Sequence, residues 1–327
     1  MTQTSSQTGG SRRLAELRDL GSRLLVGQGV PQDPARGVCL LQEAAGLGNA
    51  EAAVILATLS AAGAWTPQSW DLALARLEQG AGLGSRRAEC QLILFSGGDP
   101  SSGARWARPE GGVDLSRWFA PSARQVICET PRVRASPAFV PPPVCDWLIA
   151  QVKGRMRQAL MYHGDVKREV LDPHRSCSDF EFNIADSDCV LIMVRQRIAA
   201  LTGLPTAAME PPRVFHYALG QDIKPHYDRL SDGIGGYGGG DYEGDRIVTF
   251  LLYLNDGFEG GELDFPKVNR RYKGGKGDAV YFAHVNEVGA PEPLSLHAGL
   301  PILRGEKYVL SQWIHDRPLI QGKNGGQ

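Results

Sequence analysis

Four residues in the last third of the chain could together perform metal-dependent chemistry: His226, Asp228, His297 and Lys307. His226 and Asp228 are two residues apart, so on a β-strand both side chains would leave the same face. Two imidazoles and one carboxylate form a set that holds Fe(II) on one face and leaves coordination positions open. Lys307 could offer a fixed positive charge to the carboxylate of an organic acid bound at the metal. The pattern therefore predicts a non-haem iron oxygenase centre.

A second His-x-Asp pair, at residues 163–165, must be distinguished from this one by its context. A single pair is weak evidence, because its residue types are common enough for a chance match. His226 follows a strand-like run and a turn, and it precedes residues 247–254, the most strand-like segment of the chain. The pair at 163–165 instead follows an apolar-periodic stretch, residues 147–161, so we interpret it as a solvated helix end.

Residues 213–318 resemble the catalytic core of the prolyl 4-hydroxylase branch of the Fe(II)/2-oxoglutarate-dependent dioxygenases. The resemblance lies in five linked segments that keep the family's order: RVFHYALGQDIKPHYDRL, GDRIVTFLLYLND, GGELDFP, GDAVYF and SLHAGLPILRGEKYVLSQWIHDRP. Between residues 124 and 212 only the general layout and Arg175-Ser176 are similar to the family. The resemblance implies a double-stranded β-helix, or jelly roll. It also implies hydroxylation of an unactivated C–H bond, with succinate and CO2 as coproducts.

The resemblance implies roles for individual residues. The Fe(II) ligands would be His226, Asp228 and His297, called the triad below. The residues that would contact the cosubstrate 2-oxoglutarate are Lys307, Tyr217 and Tyr253. Thr249 is four residues from Tyr253 on the same strand face, so it is expected to line the same pocket. The residues that would contact the substrate are Arg246, Tyr237, Tyr242 and Trp313. Ascorbate is a further cofactor that the resemblance implies.

Several of these residues also have an ordinary structural explanation. Tyr217 and Tyr253 could be core aromatics whose hydroxyl groups bond to the backbone. Arg246 could be a solvated residue at the start of a strand, and Trp313 a buried structural side chain. Lys307 could be a surface lysine, but it opens an alternating run that would point it into a barrel. An unpaired buried ammonium is costly, which favours a ligand role for Lys307.

The segment between Ser231 and Asp245 is rich in glycine and contains Tyr237 and Tyr242. No Gly-Lys-Ser/Thr follows it, so it is not a phosphate-binding loop. Ordering so many glycines costs entropy, and we expect the segment to be mobile without substrate. In the family the corresponding loop closes over a substrate peptide, which implies a lid here. A flexible hairpin loop is the alternative.

The composition argues against several classes of partner. A net charge of −1 gives no electrostatic reason to expect nucleic acid or an anionic membrane surface. No apolar run is long enough to span a bilayer, and the start MTQTSSQTGGSRR lacks the apolar segment of a signal peptide. The 6 cysteines are scattered without CxxC spacing. We therefore expect reduced thiols and a cytoplasmic location.

Residues 14–98 contain an internal repeat. The run Leu41–Gly48 returns as Leu77–Gly84, an offset of 36 residues. A period in the mid-thirties with helix–turn–helix composition is typical of a tetratricopeptide-type solenoid. The segment GQGVPQDPARGVCLLQEAAGLGNAEAAVILATL resembles a Sel1-like repeat in particular, with Gly27 and Gly29 where the helices turn. Such a unit could bind a peptide or a partner, or could serve as a structural cap or dimer surface.

The predicted fold class is multidomain, α + (α+β). Its parts are a disordered N-terminus (1–13), Sel1-like helical repeats (14–98), a Gly-, Pro- and Ser-rich linker (99–122), the dioxygenase domain (123–318) and a disordered tail (319–327). Within the dioxygenase domain we expect helices at about 144–162 and 188–202, the second capped by Ser187. These helices would buttress one face of the barrel.

Three functions remain open on this basis. The first is hydroxylation of a prolyl residue in a peptide or protein, which the helical repeats and the glycine-rich segment suit. The second is the same mechanism acting on a free amino acid or small metabolite. The third is a repeat-containing interaction protein with an inactive barrel. An intact triad with Lys307 argues against the third.

Overall fold

The computed structural model describes residues 4–120, 122–163, 168–170, 176–230 and 244–319. The helices of this part are α1 (Thr4–Val26), α2 (Pro34–Gly46), α3 (Ala50–Ala62), α4 (Trp70–Gly82), α5 (Arg86–Phe95), α6 (Ser116–Phe119), α7 (Pro142–Val152) and α8 (Cys189–Thr202). Among these described helices, none has the length and apolar character needed to cross a bilayer.

The strands are β1 (Gln125–Cys128), β2 (Val133–Ser136), β3 (Arg157–Gln158), β4 (Met161–His163), β5 (Arg168–Val170), β6 (Ser178–Glu181), β7 (Arg213–Tyr217), β8 (Ile223–His226), β9 (Arg246–Tyr253), β10 (Glu259–Gly260), β11 (Leu263–Phe265), β12 (Arg270–Tyr272), β13 (Ala279–Ala283), β14 (His297–Gly299), β15 (Ile302–Arg304) and β16 (Lys307–His315). The chain divides into two compact units. Among the described residues, one unit contains residues 4–119 and 184–196, and the other contains residues 120–183 and 197–319.

The helical unit repeats its local structure at the same offset as its sequence. The helices α2 and α4 begin 36 residues apart, and so do α3 and α5. Each begins at a side chain that accepts a hydrogen bond from a backbone N–H of the first turn: Asp33 in α2, Asn49 in α3, Ser69 in α4 and Ser85 in α5. The predicted helix–turn–helix repeat is confirmed.

Small residues let α1 and α2 approach closely. A Cβ atom built on Gly37 would lie 2.8 Å from the backbone oxygen of Gly21. Around this contact, Leu25 and Leu41 are buried with the alanines of α2 and α3 in one apolar cluster. Gly27 adopts a φ of 75° and Gly29 a φ of 65° between the two helices, a left-handed conformation that glycine adopts without strain.

Two segments of the helical unit differ from the sequence-based expectation. The helix α1 begins at Thr4, although residues 4–13 are polar and have no apolar periodicity that could predict a helix. Part of the expected linker is also packed, since Trp118 is buried and its indole N–H donates to the Phe95 carbonyl at 3.2 Å. Composition alone missed Trp118 because glycine, proline and serine dominate the segment around it.

The second unit is built mainly of antiparallel sheets. Its largest sheet has the strand order β1-β2-β13-β9-β16-β7-β6-β3, and a smaller sheet has the order β12-β11-β14-β8. From β7 onwards the chain crosses repeatedly between the two, with β7, β9, β13 and β16 in the larger sheet and β8, β11 and β14 in the smaller. This alternation is the predicted double-stranded β-helix.

The core of this unit joins side chains from both sheets. Phe215 of β7, Phe282 of β13 and Trp313 of β16 contribute from the larger sheet, and Leu263 and Phe265 of β11 from the smaller. A face of each sheet is therefore buried against the other, which positions the inward side chains of β8, β9, β14 and β16 around a common interior.

The prediction of one helix over residues 144–162 was wrong. The helix α7 ends at Val152, and the chain continues as β3 and β4. Gly154 has a φ of 79°, a left-handed conformation that an α-helix cannot contain. The second expected helix exists as α8, but the residue that caps it is Asp188, whose Oδ1 accepts from the Leu191 N–H at 3.0 Å.

Candidate active site

Two neighbouring strands bring the predicted histidines together. His226 is the last residue of β8 and His297 the first of β14, and the two are directly paired across the antiparallel ladder. Their imidazole ring centroids are 4.3 Å apart. Asp228 follows β8 by two residues, so its side chain returns to the same side as His226.

The triad forms a compact group of possible metal ligands. One nitrogen or oxygen from each of the three side chains lies within 4.8 Å of the others. The Asp228 Oδ1 atom is 3.6 Å from His226 Nε2, and its Oδ2 atom is 3.5 Å from His297 Nε2. All three residues are buried. Two imidazoles and one carboxylate in this arrangement fit a single Fe(II) ion.

Backbone carbonyls fix the orientation of both imidazoles. The Nδ1 atom of His226 lies 2.8 Å from the Lys224 carbonyl, and the Nδ1 atom of His297 lies 3.1 Å from the Ser295 carbonyl. A carbonyl oxygen only accepts, so each Nδ1 carries the proton. Each Nε2 then presents its lone pair on the Asp228 side, as a neutral histidine ligand requires.

Burial and mutual contact set the charges of the triad. Burial lowers the pKa of His297 to about 3, so its imidazole is neutral near pH 7. Burial alone would raise the pKa of Asp228, but the adjacent imidazoles of His297 and His226 outweigh it and hold that pKa well below its usual range. The site therefore offers one carboxylate and neutral nitrogen, which suits a divalent cation.

A hydrogen-bonded chain of two polar side chains, Thr249 and then His284, extends from the Asp228 carboxylate. The Thr249 hydroxyl lies 2.5 Å from Asp228 Oδ2 and 2.7 Å from His284 Nε2. Burial lowers the pKa of His284 to about 4, so this imidazole is also neutral. Sequence reasoning did not identify His284. The signal was present, because in the run Val280, Phe282, His284 alternate residues follow the inward face of β13.

The triad opens into a pocket between the sheets. The described residues that line it are Phe215, Tyr217, Ile223, His226, Asp228, Thr249, Leu251, Leu263, His297, Gly299, Lys307, Val309, Ser311 and Trp313. The predicted alternation of β16 is therefore correct, since Lys307, Val309, Ser311 and Trp313 all face this interior. Trp313 pairs with Thr249 across β9 and β16, at the level of the triad.

Lys307 lies at the opposite end of β16 from Trp313, paired with Tyr217 of β7. It is 6% exposed, and its ammonium donates to the Gly261 carbonyl at 2.8 Å. The rings of Tyr217 and Tyr253 surround it, with centroids 5.5 Å and 5.2 Å from Nζ. Burial lowers the pKa of Lys307 to about 8, and the nearby Glu262 opposes this shift. A carboxylate in the pocket would give this buried cation a counter-charge.

The other residues predicted for the cosubstrate lie at different places around this pocket. Tyr217 lines it. Thr249 also lines it, but its hydroxyl is hydrogen-bonded to Asp228. Tyr253 departs from the expectation, because its ring is fully buried beside Lys307 and its hydroxyl donates to the Tyr272 carbonyl at 3.4 Å. Burial also raises the pKa of Tyr253, which keeps this hydroxyl protonated.

The residues predicted for the substrate lie partly outside the described residues, since both Tyr237 and Tyr242 do. Arg246 is buried, which excludes the alternative of a solvated side chain at the start of a strand. Its guanidinium pairs with both carboxylate oxygens of Glu210 at 2.5 and 2.8 Å, and it lies 4.0 Å from the ring centroid of Trp313. The Arg246 guanidinium thus packs against the ring of Trp313, which lines the pocket.

Sequence reasoning also missed Glu210, whose carboxylate holds the Arg246 guanidinium in place. Besides Arg246, it contacts His315 Nε2 at 2.6 Å. Burial alone would raise the pKa of Glu210, but the Arg246 guanidinium outweighs it and lowers the pKa to about 2. No sequence spacing links the two residues, because Glu210 precedes β7 and Arg246 opens β9.

Comparison with known proteins assigns the part of the chain that contains this site to a known superfamily. Residues 212–315 match the model of the 2OG-Fe(II) oxygenase superfamily. The probable prolyl 4-hydroxylase 6 of Arabidopsis thaliana is 31% identical over 210 residues, which cover 58% of this chain and 70% of that relative.

Solved structures are similar to each part of the chain. A complex of the viral collagen prolyl hydroxylase of Paramecium Bursaria Chlorella virus-1 with 2OG is 23% identical and covers 58% of this chain and 98% of the viral one, with a TM-score of 0.43. A Sel1 repeat protein from Oxalobacter formigenes is 23% identical and covers 25% of this chain and 34% of that one, with a TM-score of 0.25.

The fold and the match to the superfamily define a 2-oxoglutarate-dependent dioxygenase, with Fe(II) as metal and 2-oxoglutarate as cosubstrate. The chain belongs to the prolyl 4-hydroxylase family of these enzymes.

Proposed function

We propose that this enzyme hydroxylates a prolyl residue within a peptide or protein. The observation that carries the proposal is the convergence of the triad and Lys307 on one pocket, in a chain that belongs to the prolyl 4-hydroxylase family. The family's relatives bear the name prolyl 4-hydroxylase, and this favours proline over a free metabolite as substrate.

In this proposal, His226, Asp228 and His297 hold the metal through His226 Nε2, His297 Nε2 and the carboxylate. Bound Fe(II) would supply the oxidising chemistry, in which O2 is the oxidant: 2-oxoglutarate loses CO2 and takes up one oxygen atom to become succinate, and the other oxygen atom is inserted into a substrate C–H bond. The carbonyls of Lys224 and Ser295 keep both imidazoles in the tautomer that binds metal.

Lys307 holds the far carboxylate of 2-oxoglutarate in this proposal. Lys307 lines the pocket at the end of β16 opposite Trp313, which is paired with Thr249. Its ammonium places a positive charge at that end of the pocket. A lysine provides a compact charge that needs no planar partner, so it suits a single carboxylate in a narrow space. The apolar side chains Leu251 and Val309 between the two ends exclude water from the cosubstrate.

The substrate would approach on the side of Trp313. That indole lines the pocket at the level of the triad, and its N–H has no hydrogen-bond partner among the described residues. Arg246, held by Glu210, keeps the indole in place. Contacts from Tyr237 and Tyr242 remain part of the proposal on sequence grounds, and so does peptide binding by the helical repeats.

Two further properties belong to the proposal. All 6 cysteines are free in the structure, as expected for a protein of a reducing compartment, and this supports a cytoplasmic location. Ascorbate would support turnover by keeping the iron ferrous.

The proposal is tested by coupled turnover. The enzyme is incubated with Fe(II), 2-oxoglutarate and ascorbate, together with a proline-rich peptide, the same peptide with alanine for proline, or free proline. Succinate is quantified, and the masses of the peptides are measured by mass spectrometry. Of the three substrates, we expect only the proline-rich peptide to cause succinate release and to gain the mass of one oxygen atom. The Asp228→Ala variant should show neither effect. Coupling to free proline, or equal turnover with the alanine peptide, would contradict the proposed substrate.

A further inference from the structure

We infer that His284 is a positioning residue for the metal site: through the Thr249 hydroxyl, it fixes which oxygen of Asp228 faces the metal. The inference rests on the proposed function, in which Asp228 is a metal ligand.

His284 is held firmly against β9. It follows β13 directly, and β13 pairs with β9 so that Phe282 lies opposite Thr249. The backbone N–H of His284 donates to the Ile247 carbonyl at 2.9 Å. The side chain is fully buried. Its position relative to Thr249 is therefore set by the sheet, which is more rigid than a loop.

The hydrogen-bond inventory assigns each proton in this group. An ionised carboxylate only accepts, so Thr249 donates its single hydroxyl proton to Asp228 Oδ2 at 2.5 Å. The contact of 2.7 Å between Thr249 Oγ1 and His284 Nε2 must then be donated by the imidazole. His284 Nδ1 is buried without a partner among the described residues. A proton there would be an unpaired buried donor, so the proton belongs on Nε2.

This arrangement distinguishes the two oxygens of Asp228. While His284 donates to Thr249 Oγ1, the threonine hydroxyl cannot turn away from Oδ2. Both carboxylate oxygens lie near an imidazole of the triad, Oδ1 at 3.6 Å from His226 Nε2 and Oδ2 at 3.5 Å from His297 Nε2. Oδ2 already accepts from Thr249, so Oδ1, which lacks this hydrogen bond, is the oxygen better able to bind a metal. A carboxylate that offers one oxygen leaves more coordination positions open than one that offers two. Without His284, the hydroxyl and the carboxylate could both rotate.

The chemical nature of His284 supports a specific role. A buried nitrogen without a partner costs free energy that an apolar side chain of similar size would not cost. A residue that breaks this rule directly after the largely apolar strand β13 is of the kind expected at functional or strained positions. In the structure the imidazole gains one contact that leucine could not make, the hydrogen bond to Thr249.

Metal affinity tests the inference without turnover. Mn(II) is titrated calorimetrically into the full chain without 2-oxoglutarate or peptide, for the wild type and the variants His284→Leu, His284→Gln, Thr249→Val and the double variant His284→Leu/Thr249→Val. We expect His284→Leu and Thr249→Val each to weaken binding by roughly 10–100-fold, the usual effect of losing a group that orients a ligand. His284→Gln can still donate from a nitrogen near the Nε2 position, and it should restore most of the affinity.

The double variant tests whether His284 acts through Thr249. If it does, the double variant binds Mn(II) about as weakly as Thr249→Val alone, and losses that multiply overturn the inference. Leu252→Ala is the matched control, because Leu252 is fully buried on β9 yet is not among the pocket-lining residues. It should lower stability and keep Mn(II) affinity.

Two outcomes separate this inference from the proposed function. If the wild type binds no Mn(II), the proposed metal site itself is wrong. If the wild type binds Mn(II) and folded His284→Leu binds it equally well, only the inference is overturned. The visible absorption of the Co(II)-loaded protein gives a second readout: it should change in His284→Leu and stay unchanged in Leu252→Ala. An unchanged spectrum in His284→Leu would also overturn the inference.

Discussion

His226 and His297 are paired residues of the neighbouring strands β8 and β14, with ring centroids 4.3 Å apart. Backbone hydrogen bonds of the antiparallel ladder hold this relationship, so it does not depend on either side chain. The scaffold is therefore expected to survive loss of one imidazole. Metal binding and folding can be tested separately at this site.

Replacing Lys307 with alanine should raise the KM for 2-oxoglutarate by roughly 10–100-fold, with a smaller effect on kcat. The reason is the loss of a charge-assisted contact worth about 1.5–3 kcal/mol. Steady-state kinetics with varied 2-oxoglutarate at saturating peptide measure the change. Lys153→Ala, an exposed lysine after α7, is the control and should leave KM unchanged. An unchanged KM in Lys307→Ala would place the carboxylate anchor elsewhere.

The affinity for 2-oxoglutarate should fall as the pH rises through about 8. Burial lowers the pKa of Lys307 from 10.5 to about 8, so the ammonium is present below that pH and is lost above it. Binding of a carboxylate raises the pKa of the ammonium, so the affinity should drop by up to about tenfold per pH unit above the free pKa and level off once the pH passes the pKa of the complex. Lys307→Arg stays charged throughout this range and should remove the decline. Identical pH profiles for wild type and Lys307→Arg would assign the decline to another group.

Glu210→Ala should strongly destabilise the fold, by about 3–5 kcal/mol, because it leaves the buried Arg246 without its carboxylate. Urea unfolding measures the loss. The matched control is Glu259→Ala, which breaks an ion pair with Arg304 whose side chains are 58% and 77% exposed. Its cost should stay below about 1 kcal/mol. Equal effects of the two variants would mean that Arg246 does not depend on Glu210.

Two glycines of α2 should respond oppositely to alanine. A Cβ on Gly37 would lie 2.8 Å from the Gly21 oxygen, so Gly37→Ala should cost about 1–3 kcal/mol by forcing α1 and α2 apart. Gly46 has no neighbouring atom within 4 Å of such a Cβ, so Gly46→Ala should be neutral or stabilise by up to about 1 kcal/mol. Unfolding followed by far-ultraviolet circular dichroism compares the two. Destabilisation by both would show that helix packing is not the cause.

The sequence predicted the features whose signal is local. The alternation of β16 predicted that Lys307 and Trp313 face one interior, and the offset of 36 residues predicted the helix pairs. Both follow from fixed periodicities of backbone structure, which side-chain patterns reveal directly. The approach of His226 and His297 required the family resemblance as well, since residue spacing does not encode strand pairing.

The features that the sequence did not predict depend on contacts between distant segments. His284 and Thr249 meet because β13 pairs with β9, and Glu210 meets Arg246 across a similar separation. A buried polar partner has no periodicity of its own, so only the fold identifies it. The incorrect prediction of one helix over residues 144–162 has a different reason. Its apolar periodicity continued past Gly154, where the backbone conformation ends the helix.

The most direct test counts the Fe(II) ions that the protein binds. Under anaerobic conditions, we predict that the wild type binds one Fe(II) per chain. We predict that His297→Ala loses this binding while its circular dichroism spectrum stays that of the wild type, because the β8–β14 pairing does not need the imidazole. Tight binding of one Fe(II) by His297→Ala, or no binding by the wild type, would contradict the assignment of the triad.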